Sequence, residues 1–72
     1  MSYETGDILK FNSENELSYW KVTKTDKYSF RAYCIKCVRC KYKMSFDEEF
    51  VFSMDRRYFY KPSQDEVKSE LL

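Results

Sequence analysis

The sequence predicts a mainly β domain, a small five-stranded barrel followed by a short C-terminal helix. Three observations predict it. Apolar and polar residues alternate with period two over long stretches, 19% of the 72 residues are aromatic, and there is one Gly and one Pro. Alternation is the mark of half-buried strands, and so few Gly and Pro exclude a linker or a low-complexity chain. A chain of this size buries only about 60% of the surface its unfolded form exposes, so its core must be built from large rings. Closing the sheet into a barrel would remove its exposed edges. Residues 1–62 are assigned to the barrel and 63–72 to the helix or tail.

Gly6-Asp7-Ile8-Leu9-Lys10-Phe11 reads as a turn glycine entering the first strand, and residues 12–17 as a polar loop with the turn formers Asn and Ser. Ser18 to Thr25 is a second strand, with Trp20 and Val22 on one parity and Tyr19, Lys21 and Thr23 on the other. A tight turn is expected at Thr25-Asp26-Lys27. From Tyr28 the even positions are nearly all apolar, and the odd positions carry Arg31, Arg39, Lys41 and Lys43. So long a strand is expected to bend or break after about Val38. A helix over Ile35 to Tyr42 is the competing reading, disfavoured because Cys, Ile, Val and Tyr prefer strands.

Asp47-Glu48-Glu49 is expected to be a charged turn, with Phe50 and Phe52 facing in from the next strand. Met54 to Arg57 is expected as a short helical turn, and Tyr58 to Lys61 as a last strand stopped by Pro62. Ser63, with Glu66 three residues later, has the capping-box spacing, so a two-turn helix with Val67 and Leu71 inward is expected. Trp20, Phe30, Phe50, Phe52 and Phe59 are the expected core.

"GDILKF", "YWKVTKT", "YSFRAYCIK" and "FVFSMDRRYFYKP", in that order, resemble the SH3-like barrels, in particular small SH3-like proteins of phage genomes. The resemblance covers about residues 5–62 and implies a fold and a gene type, with no site residues. A minimal OB-like barrel is the alternative fold.

The segment "CIKCVRC" raises metal and redox chemistry. Zinc needs four converging ligands, and the chain has three Cys and no His. On a regular strand Cys34 and Cys40 share one side and Cys37 faces the other, so the three would not meet. Nothing nearby caps a helix that would activate a redox Cys-x-x-Cys. Cys34 and Cys40 are therefore expected as small buried hydrophobes and Cys37 as a surface thiol, with no metal and no cofactor. Without His there is no ready general base, and one Gly precludes a phosphate loop, so no enzyme is expected.

Binding remains. Residues 1–16 carry one base against four acids, 17–46 eight bases against one acid, and 47–72 four bases against seven acids. The basic middle, with Tyr interleaved, places Tyr19, Lys21, Arg31, Tyr33, Arg39, Lys41 and Lys43 as candidate contact residues. Tyr and Arg are favoured at protein interfaces, so an acidic surface of a protein partner is the expected ligand. A nucleic acid bound on the face of residues 21–43 is the alternative, weakened by a pI of only ≈ 7.6. No signal peptide is read at the N-terminus and no run approaches a membrane span, so a reducing cytoplasm is expected, that of the host if the gene is a phage's, with no membrane partner.

Overall fold

The computed structural model describes residues 3–41 and 46–71. Strands β1 (Ile8–Asn12), β2 (Glu16–Thr25), β3 (Ser29–Cys40), β4 (Glu49–Ser53) and β5 (Phe59–Tyr60) precede helix α1 (Gln64–Leu71). They form one antiparallel sheet in the order β4-β3-β2-β1-β5. The fold is mainly β, as expected, but the sheet is not a closed barrel. Among the described residues no ladder joins the two edge strands, and the two residues of β5 pair with β1 alone. Side chains bridge the edges instead: the rings of Phe52 on β4 and Phe59 on β5 lie 4.9 Å apart.

The loops reflect local chemistry. Gly6 has φ +93°, a conformation an L side chain rarely adopts, and its N–H donates to the Val22 carbonyl at 2.8 Å. The Asp7 carboxylate accepts the Glu4 N–H at 2.8 Å and pairs with Lys61 at 3.1 Å. Between β1 and β2 the loop is only Ser13 to Asn15, shorter than expected. The β2–β3 turn is built on Asp26, whose carboxylate accepts the N–H groups of Tyr28 and Ser29 at 2.8 and 2.7 Å. Those two bonds hold its pKa below the ordinary value. Residues 54–58 form turns and no helix, a correction to the expected helical turn.

The core is one cluster of Tyr3, Leu9, Phe11, Trp20, Val22, Phe30, Ala32, Cys34 and Phe59, with Phe52 and Met54 packed against it. Phe59 is its hub, with ring centroids 4.9–6.2 Å from those of Phe11, Trp20, Phe30 and Phe52. Trp20 is 3% exposed, and its indole N–H donates to the buried Ser18 hydroxyl at 2.8 Å. The Ser18 hydroxyl in turn donates to Glu16 at 2.5 Å, so the buried indole and its acceptor are both satisfied. Phe50 faces in as expected but is 36% exposed, because β4 is an edge strand of the sheet.

Strand β3 departs most from the regular alternation. Opposite β2 it pairs Cys34 with Trp20, Lys36 with Tyr19, Cys37 with Ser18, Arg39 with Leu17 and Cys40 with Glu16. Ile35 and Val38 are left over, one extra residue each, so they are β-bulges. Each bulge reverses the parity of the residues beyond it. Cys34, Cys37 and Cys40 thus share the Trp20–Ser18 side of the sheet, contrary to the expectation that Cys37 points away. Cys37 and Cys40 form a disulfide, which replaces the expected surface thiol and buried Cys40. Cys34 is buried and free, as expected, and burial pushes its thiol pKa up.

Candidate functional site

The face of the sheet opposite the core is organised in rows, since residues paired across an antiparallel ladder point to the same side. One row crosses four strands as Tyr60, Lys10, Tyr19 and Lys36. The next runs Ile8, Lys21, Tyr33 and Glu49. Beyond it Lys24 lies opposite Arg31, which lies opposite Val51. The bulge at Ile35 is what puts Lys36 on this face, where plain alternation would have placed it inside.

Helix α1 lies over Lys10, Tyr19 and Lys36 of the first row and leaves Tyr60 exposed. Its N-terminus is capped by Ser63, whose hydroxyl accepts the Glu66 N–H at 3.1 Å. In a capping box the Glu side chain would return to the cap. Here the Glu66 carboxylate instead reaches the sheet, pairing with Lys10 at 2.6 Å and accepting the Tyr19 hydroxyl proton at 2.8 Å. One turn on, Lys36 donates to the Glu70 carbonyl at 2.5 Å and lies 3.5 Å from its carboxylate.

These contacts shift three titrations. The Lys10 hydrogen bond, then that of Tyr19, holds the Glu66 carboxyl below its usual 4.5. The Glu66 bond raises Lys10, and desolvation, then the Glu66 bond, raises Tyr19. A depressed carboxyl contributes docking stability that is present above its unfolded pKa and lost as pH falls through the folded value. The raised Lys10 and Tyr19 keep their contributions below their unfolded values, so α1 should remain docked at neutral pH and leave the sheet only below pH 4.5. Ring resonances of Tyr19, monitored by NMR through an acid titration, should show the step, and Glu66→Gln should remove it. A step unchanged in that variant would contradict the assignment.

The structure divides the sequence-predicted contacts. Lys21, Arg31 and Tyr33 come together on the uncovered rows, with Lys24 beside them. Tyr19 is on the expected face but 2% exposed, so as an accessible contact it is corrected: α1 lies over it. Arg39 is on the same face at the far end of the sheet, where its guanidinium donates to the Ser13 carbonyl at 3.3 Å. Lys41 is exposed just beyond β3, and Lys43 lies outside the described residues. Sequence reasoning missed Lys10 and Lys36. Lys10 was legible from its parity opposite Leu9 and Phe11, whereas Lys36 depends on the bulge.

A second surface lies at the open side of the core, a cleft of about 650 Å³ whose walls include Phe11, Phe52, Arg56 and Tyr58. The Arg56 guanidinium sits 5.6 and 5.8 Å from the Phe11 and Phe52 ring centroids. Tyr58 has φ +78° and is 56% exposed, with its carbonyl accepting the Asn12 N–H at 3.0 Å. A left-handed aromatic residue costs about 1–2 kcal/mol. Among the described residues no group of Cys, Asp and Glu converges as a metal site, and no helix is long and apolar enough to cross a membrane. No family model matches the chain, and no curated protein or solved structure matches it.

Proposed function

We propose that this is a non-enzymatic protein-binding module whose outer sheet face docks on an acidic segment of a partner. One observation carries the reading: the face already holds acidic groups, with Glu66 taken by Lys10 and Tyr19 and Glu70 by Lys36. On the neighbouring rows Lys21 lies opposite Tyr33 and Lys24 opposite Arg31, so one base–ring pair and two further bases are added, and Lys21, Lys24 and Arg31 are exposed. A folded partner can match so small a patch. A polyanion running along it would meet Glu49 at one end and the acids of α1 at the other. The resemblance to small SH3-like phage proteins supports an accessory role on a host or phage protein.

The test uses a labelled poly-glutamate peptide and a single-stranded oligonucleotide, each titrated at about 0.15 M salt. The peptide should bind, and Lys21→Glu with Arg31→Glu should weaken it at least ~10-fold, about 1.4 kcal/mol. The melting temperature should hardly move, because exposed charges contribute little to folding. Tighter binding of the oligonucleotide than of the peptide would replace this reading with nucleic-acid binding. Binding of neither would remove it.

A further inference from the structure

Helix α1 buries none of its residues. An eight-residue helix is marginal by itself, so what keeps it on the sheet is the set of contacts made by Glu66 and Glu70, together with the partly buried Val67 and Leu71, which face inward as expected. Those acids stand one helical turn apart, on one side of α1, and meet the Tyr60–Lys10–Tyr19–Lys36 row at two places. Base and ring alternate along that row. Lys10 also lies 5.7 Å from the Tyr19 ring centroid, so ammonium and ring are already mutually placed when the carboxylate arrives. The face therefore receives a helix through carboxylates at i and i+4, with Val67 and Leu71 only partly buried beside them.

We propose that this row is a docking slot for an acidic helix of a partner protein, and that α1 occupies it as an internal stand-in that the partner displaces. The proposal rests on the reading of the outer face as a binding surface and extends it. A helix tethered through Lys61, Pro62 and Ser63 acts at an effective concentration on the order of millimolar. A partner making only the contacts of α1 would lose to it. A partner with a longer acidic face wins by also engaging Lys21, Lys24 and Arg31, which α1 leaves uncovered. The three rows are then one site, of which the free protein leaves the second and third open. Such a site is selective, since a short acidic peptide meets a blocked slot and a long acidic helix does not.

The experiment keeps the full chain. The probe is a fluorescent peptide with the sequence of residues 62–72, PSQDEVKSELL, added in trans. Glu66→Lys removes the internal carboxylate and places a positive charge beside Lys10, which releases α1. The peptide should bind that variant at least ~10-fold more tightly than the wild-type chain, where the tethered helix competes. Adding Lys10→Glu to the variant should abolish the gain, because the exchanged charges pair again within the chain and the tethered helix competes as before, whereas Lys10→Glu alone, which releases α1, should bind a peptide carrying Glu66→Lys better than the unaltered peptide. Equal affinity for wild type and Glu66→Lys, no binding to either, or indifference to Lys10→Glu would overturn the proposal. If Trp20 emission shows that Glu66→Lys does not fold, Glu66→Gln carries the same comparison, losing the charge and keeping the shape. Poly-glutamate binding measured on the same proteins separates the two readings. Peptide bound through Lys10 with no poly-glutamate affinity removes only the wider function, and poly-glutamate bound equally by wild type and Glu66→Lys removes only the displaceable helix.

Discussion

Trp20→Ala should destabilise the protein by roughly 3–5 kcal/mol and leave little folded chain at 37 °C. The ring packs against those of Phe50, Phe52 and Phe59, at centroid distances of 5.9, 5.2 and 6.2 Å. Removing it opens a cavity that β2, the central strand, cannot collapse to fill, because β1 and β3 hold it on both sides. It also leaves the Ser18 hydroxyl without the indole donor, although Ser18 keeps its bond to Glu16. A domain this small sits near the low end of the usual range of about 5–15 kcal/mol, so the loss takes most of its stability. Urea unfolding monitored by circular dichroism measures it. A loss below about 1 kcal/mol would mean that Trp20 is not the core residue described.

Phe59→Ala should cost a similar amount, roughly 3–5 kcal/mol, with a different local signature. Phe59 sits in a two-residue strand with, among the described residues, no ladder on its outer side, so its ring rather than its backbone ties β5 to β4. That ring touches Phe11, Phe30 and Phe52, and the Phe59 carbonyl accepts the Tyr3 hydroxyl proton at 3.3 Å. Truncation should therefore part the two edges of the sheet before the β2–β3 pair opens. Hydrogen exchange should show the amides of β5 and the Asn12 N–H losing protection first, with those of Trp20 and Cys34 tracking the global unfolding free energy. Uniform loss of protection throughout the sheet would show that the β4–β5 contact is not a separable closure. The same variant should loosen the path to α1, since Pro62 and the helix continue directly from β5.

Residue type and local pattern specify the number of strands, the inward parity of Trp20, Val22, Phe30 and Ala32, the Asp26 turn and the Ser63 cap. Each is a local matter, of residue type read against a period of two or against a capping rule. The same pattern also places Lys21, Arg31 and Tyr33 on the outer face, because no bulge on β3 precedes Ile35 to turn them inward. Tertiary structure alone decided the rest. Bulges at Ile35 and Val38 answer the pairing demands of β2, a separate strand, and they turned Lys36 outward and brought Cys37 beside Cys40. The burial of Tyr19 depends on a helix residue 47 positions further along. Whether the edges β4 and β5 meet through a ladder or, as here, through the Phe52 and Phe59 rings is likewise set across space. Period-two patterning carries parity only until an extra residue is inserted. Which residue is extra, and which face a later helix covers, is set by partners across space.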